Sequence, residues 1–169
     1  MNKQNGATLA VSLIMLFLIT VLGIGSIQST HLQEKMAANM VNKSMSFAAT
    51  ESAVAAAELW ILSLSLEPPV QTTCGTSNCV RTKMVSMNVL TAPETFWQTQ
   101  TVPYTTSISD IPTAPRYYIE FIQFVPDTPE IGSVSSKNKG MFYYKITARG
   151  TGSNNESASI IQTTIARRF

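Results

Sequence analysis

An uncharged, mostly apolar run from Ala7 to Ile27 constrains this chain more than any other feature. As a helix, its 21 residues reach about 31 Å, the thickness of a bilayer's hydrocarbon core. Lys3 and the amino terminus precede it, so the positive-inside rule leaves residues 1–6 in the cytoplasm and sends the chain beyond Gln28 outward. A secretory signal peptide is the rival reading, and Gly23-Ile-Gly25-Ser26 could serve as its cleavage site. Such peptides have apolar regions of about 7–15 residues. This run is longer, which favours a retained anchor.

From Gln28 to Leu66 there is neither proline nor glycine, so the membrane helix is expected to continue as a stem through residues 28–66. Met40, Phe47, Val54 and Ile61 recur every seventh residue, with Met36, Ala57 and Leu64 on the adjacent line. Together they predict one apolar stripe. Alanines 48, 49, 53 and 55–57 favour helix and allow another backbone to approach closely. The outer half of the stripe is expected to pack on the chain's own domain, and the inner half on other helices. Gly23 and Gly25 permit either local unwinding or close helix packing.

Glu67-Pro68-Pro69 ends the stem, because a residue before proline is pushed out of the α region. Residues 67–115 read as an irregular, partner-facing region with strand-like pieces at Val80–Met87 and Thr95–Thr101. Four residues separate Cys74 from Cys79, and in an exported domain a disulfide between them is expected. Zinc needs four ligands, commonly cysteine and histidine in pairs. The only histidine, His31, lies at the membrane end of the stem.

Residues 116–169 read as a β-meander. Arg116–Val125 is aromatic and β-branched, a polar loop covers Asp127-Thr-Pro-Glu130 and 132–140, and Ala158–Arg167 forms the last strand. Between them, Met141–Arg149 alternates, placing Phe142, Tyr144, Ile146 and Ala148 on one face and Lys145, Thr147 and Arg149 on the other. The expected fold class is α+β: a long amino-terminal helix, its first half in the membrane, packed on a carboxy-terminal antiparallel sheet. One sheet face is expected under the stem, with the other open to water or partners.

The leader ending in Gly6, the span beginning Ala7-Thr-Leu-Ala-Val-Ser-Leu-Ile, and the stem segments Gln33-Glu-Lys-Met-Ala-Ala-Asn39 and Phe47-Ala-Ala-Thr-Glu51-Ser-Ala53 resemble PilX-type minor pilins. Tyr144-Lys-Ile-Thr-Ala-Arg-Gly-Thr-Gly152 and the arginine-rich end are similar to the same family. The resemblance covers roughly residues 1–60 and 116–169 and omits the middle. It implies a type IV pilin-like fold, cleavage by a prepilin peptidase between Gly6 and Ala7, and N-methylation of Ala7. It also implies a chain held in the inner membrane by one helix, with its head in the periplasm, and later drawn into a surface pilus. Implied partners are other minor pilins, the major pilin, the inner-membrane assembly platform, and a tip adhesin as a further candidate.

Typical pilins carry a glutamate at the fifth mature position. Counting Ala7 as one, that position here is Val11. A buried carboxylate without its partner is expensive, so a subunit with nothing above it gains by losing it. Val11 therefore points to the tip, as in the K-type pseudopilin of type II secretion; entry into the filament by other contacts is the alternative. The leading reading is a minor pilin that helps prime pilus assembly, serving twitching motility and adhesion. A type II secretion pseudopilin and a stand-alone membrane-anchored binding domain are the alternatives. No catalytic constellation, phosphate loop, cofactor motif or metal set is visible, and a net charge of +2 does not suggest nucleic acid.

Overall fold

The computed structural model describes residues 7–85, 87–105, 108, 110–127 and 139–169. The chain divides into two units, Met1–Val41 and Asn42–Phe169. Helix α1 covers Ala7–Ser63 and ends a few residues before Leu66 and the proline pair. In the first unit every described residue, Ala7 to Val41, is exposed.

In the second unit α1 lies on a sheet. The described strands are β1 (Val70–Gln71), β2 (Val80–Arg81), β3 (Val102–Pro103), β4 (Arg116–Pro126), β5 (Gly140–Thr151) and β6 (Ala158–Arg167). Their order is β1-β2-β4-β5-β6, with β3 also pairing β4. The meander β4-β5-β6 is antiparallel as expected. The sheet as a whole is mixed, however, because β1 and β2 join β4 in parallel. Short strands surrounded by polar residues leave too little periodicity for such pairing to be read from sequence.

The expected stripe on α1 packs only in part, through Ala57, Ile61 and the edge residue Val54. The buried residues are Ser46, Ala49, Thr50, Ala53, Ala57 and Ile61, whereas Met36 and Met40 are exposed and Phe47 remains 49% exposed. At about 100° per residue, the buried face is rotated roughly 80° from the Met40-Phe47-Val54-Ile61 line. Small side chains prevail because the helix runs very close to β5. A Cβ on Gly150 would sit 2.8 Å from the Thr50 nitrogen and 3.0 Å from the Ala49 Cβ, and one on Gly152 would collide with Asn42. Gly150 is thus part of β5, not of the turn. The turn is closed by Gly152, whose N–H donates to the Ser157 carbonyl at 2.9 Å.

Polar contacts fix the seam at both ends. Ser46 and Ser159 hydroxyls meet at 2.7 Å, Thr50 Oγ1 donates to the Ser159 carbonyl at 3.2 Å, and Lys43 reaches the Ala158 carbonyl. At the other end Arg167 donates to the carbonyls of Ile61 and Leu64. Carbonyls at a helix carboxy terminus lack intrahelical partners and favour a cation. Between these ends Ala53, Ala57 and Ile61 form a core with Val80, Tyr117, Ile119, Phe142, Tyr144, Ile146 and Ala148.

Gly150→Val should push α1 off β5 and lower stability by about 1–3 kcal/mol, measured by thermal unfolding of the full-length chain in detergent. Gly25→Ala, with nothing near its Cβ, should leave the head's unfolding unchanged. Burial pushes the Tyr144 phenol up to about 12, and its buried oxygen has no hydrogen-bond partner among the described residues. The neutral form is therefore favoured by folding, so this contribution is complete below the ordinary tyrosine value near ~10 and is lost as pH rises towards the folded value. Tyr144→Phe should flatten the alkaline fall in stability and cost little at neutral pH, because no hydrogen bond is broken.

Candidate functional site

Two regions carry the features that function could use: the apolar first half of α1, and the face of the sheet turned away from α1. Within the first, Ala7–Ile27 is suited to lipid. An 18-residue window within α1 has a mean hydropathy of 2.6, and none of it is buried in the chain. Four of its hydroxyls bond within the helix: Ser12 and Thr20 donate to the carbonyls of Leu9 and Phe17 at 2.9 and 2.7 Å. Ser26 and Thr30 do the same to Leu22 and Ser26, both at 3.0 Å. Such bonding lets polar side chains sit in an apolar medium without an unpaired donor.

Ala7 is the first residue of α1, and Val11 is exposed on its first turns. Gly6, with the rest of the leader, lies outside the described residues. Gly23 and Gly25 are helical and face open space within this chain, so neither unwinding nor close packing is realised here. His31 is exposed and 3.8 Å from Glu34, one turn along the helix.

The opposite sheet face was expected to be open. Instead, part of residues 67–115 covers it. The segment read as a strand at Thr95–Thr101 is largely the helix α2 (Glu94–Thr99), preceded by a 3-10 turn at Val89–Thr91. Of the strand expected at Val80–Met87, only Val80–Arg81 is extended into the sheet. Helix α2 turns Phe96 and Trp97 onto Tyr118 of β4, with ring centroids 5.7–6.0 Å apart. Tertiary packing of two adjacent aromatics outweighs the local strand preference of this threonine-rich segment.

Beneath this aromatic cluster lies a buried ionic group. Arg81 stacks over Phe96 and Tyr118 at 5.5 and 5.8 Å and donates to Gln100 at 3.2 Å. Burial lowers its pKa, although Glu120 nearby acts in the other direction. Glu120, itself 1% exposed, accepts from the Met84 N–H at 2.7 Å and pairs with Lys145 at 2.7 Å. Arg116 gathers the carbonyls of Trp97, Gln98 and Thr101 at 3.0–3.1 Å, closing α2. Arg149 spans from the Glu94 carboxylate to a position 5.5 Å from the Trp97 ring.

Cys74 and Cys79 form a disulfide, with Cα atoms 6.1 Å apart. It closes the loop between β1 and β2, so it ties the parallel pair at the sheet's margin. Asp127 pairs with Arg168 at 2.8 Å, while Glu130 and residues 132–138 of the expected polar loop lie outside the described residues. Among the described residues, no cluster of three histidine, cysteine or acidic side chains could hold a metal. These features describe a scaffold fastened by cations. They contain no chemistry-bearing constellation.

Sequence reading located the anchor and the disulfide but missed the group at Arg81, Glu120 and Lys145. An acid inside Tyr117-Tyr-Ile-Glu120-Phe-Ile122 was the available signal, since a carboxylate in such a run must be paired when buried.

A long apolar amino-terminal helix whose second half packs on an antiparallel meander is the layout of a pilin-like α+β protein. The chain belongs to the PilX family of type IV pilus assembly proteins. The PilX amino-terminal model matches residues 5–55, and the PilX carboxy-terminal model matches residues 42–167. The second match runs through residues 67–115, which the resemblance read from sequence had left out. Comparisons with curated proteins and with solved structures gave no significant match. The family assignment makes this chain a minor pilin of the type IV pilus, a structural component.

Glu120→Ala leaves the part-buried Met84 N–H without its acceptor, while Lys145, 27% exposed, can still turn to water. It should cost about 1–3 kcal/mol, the scale for an unsatisfied buried donor. Limited proteolysis should then cut first between Thr82 and Thr91. Equal resistance of the two proteins would show that the buried acid does not hold this segment.

Proposed function

We propose that this minor pilin helps prime type IV pilus assembly and sits at or near the tip. The observation that carries the reading is the uncharged run Ala7–Ile27 at the start of α1, in which Val11 stands at the fifth mature position where an acid is expected. That acid would pair with the amino terminus of a neighbouring subunit, and a terminal subunit has no such neighbour to satisfy. An apolar side chain there removes the cost of an unpaired carboxylate in lipid or in a filament core.

In this reading a prepilin peptidase cuts after Gly6, and Ala7 becomes the N-methylated amino terminus. Removing the leader takes away Lys3, which holds the chain across the inner membrane with its head in the periplasm. The freed helix can then leave lipid and pack beside other minor pilins and the major pilin. Gly23 and Gly25 give that packing two sites without side-chain bulk. The assembly platform and a tip adhesin complete the set of partners. The role is assembly, leading to twitching motility and adhesion, without catalysis.

Mass spectrometry of the protein recovered from sheared surface fibres should find Ala7, methylated, at the amino terminus. Retention of Met1–Gly6 in cells that contain the peptidase would contradict the reading. Deleting the gene should remove surface pili and twitching while leaving exoprotein secretion intact; the reverse pattern would indicate a secretion pseudopilin. Val11→Glu should lower the number of pili per cell if the subunit is terminal. An unchanged or increased number would place it within the filament.

A further inference from the structure

The sheet buries Ala49, Ala53, Ala57 and Ile61 of helix α1 and touches Val54 at the core's edge, while Phe47 stays exposed. A groove of about 440 Å³ lies there, between Phe47 and Val54 of α1 and Ile161 and Thr163 of β6, and rimmed by Glu51 and Glu58.

Strand β6 ends the sheet order, and among the described residues nothing pairs with its outer edge. Natural edge strands are usually protected by charges, prolines or bulges. Here the strand's ends are engaged, Ala158 and Ser159 by Lys43 and Thr50, and Arg167 by the carbonyls of α1, but the stretch Ile160–Ala166 between them has no charge and no proline, and its pairing with β5 runs without a register shift. A strand added to this edge would lie beneath Phe47 and Val54, with alternate side chains entering the groove.

We propose that β6 receives an extended segment of another polypeptide as a further strand of the sheet. Every second side chain of that segment is apolar and faces α1, and a lysine or arginine among them meets Glu51 and Glu58. Neither glutamate has an ion-pair partner in this chain among the described residues. A second copy of this chain is the poorer occupant. Symmetric pairing of β6 with itself would bring two α1 helices side by side, and the cation nearest the groove, Lys43, is already held by the Ala158 carbonyl at the start of the strand. The inference concerns the folded head and holds whether or not the subunit is terminal in a pilus.

The test uses the full-length protein in detergent micelles and a capped seven-residue peptide. Threonine occupies its odd positions, and valine, lysine, valine its even ones; a control has glutamate for lysine. Amide exchange is read separately on β6 and β5. The lysine peptide should slow exchange of residues 160–166 by about tenfold or more, and the glutamate peptide should bind about tenfold more weakly. Joint Glu51→Gln and Glu58→Gln substitution should bring the two peptides to equal affinity, with β5 exchange unchanged as evidence of an intact fold. Phe47→Ala should weaken both. The proposal is overturned if β6 exchange ignores the lysine peptide, if both peptides protect it equally in the unmodified chain, or if protein concentration alone protects it, which would mean self-pairing.

Discussion

The head depends on how closely α1 approaches β5. Alanine, serine and threonine on the helix meet glycine on the strand, and at Gly150 even a methyl group is excluded. Dispersion attraction falls steeply with separation, so a seam of small residues gains contact that bulky side chains would prevent. Close approach also brings hydroxyls within reach of the strand backbone. This is why Ser46 and Thr50 can be buried without loss: each bonds across the seam to Ser159. The larger residues, Ile61 on the helix and Tyr117, Ile119, Tyr144 and Ile146 on the strands, fill the wider space beside it.

The second layer is organised differently. Beside the apolar cluster around Phe96, Trp97 and Tyr118, charged groups fasten it. Arg116 closes α2, Arg149 bridges from Glu94 to the Trp97 ring, Arg81 lies near the Phe96 and Tyr118 rings, and Glu120 accepts from the Met84 N–H. A segment poor in regular structure cannot bury enough apolar surface to hold itself, and side chains from the sheet supply the missing fixings. The Cys74–Cys79 bridge adds a covalent one where β1 and β2 are only two residues long.

The anchor, the long helix and the three-strand meander were legible because each repeats a simple pattern over ten or more residues. Phe142, Tyr144, Ile146 and Ala148 face the helix as their alternation implies. The helix face was legible at Ala57 and Ile61 but not nearer the membrane end, for a physical reason. Hydrophobicity marks where large side chains lie, while the buried face was selected for smallness, and two of its members are polar. Helix α2 was misread because Thr95 to Thr101 has strand-like composition, and only the docking of Phe96 and Trp97 decides its form. The peptidase position at Gly6 rests on family resemblance, since no local pattern marks it.

Arg167 occupies the last position of the last strand, yet it caps the end of the first helix. A ribosome makes α1 more than a hundred residues before it makes this arginine. Until then the helix's final carbonyls have no charged partner, and the seam cannot be secured at that end. The seam can therefore be locked at that end only once β6 has been made, so the helix waits on a residue distant in the sequence for its last fixing.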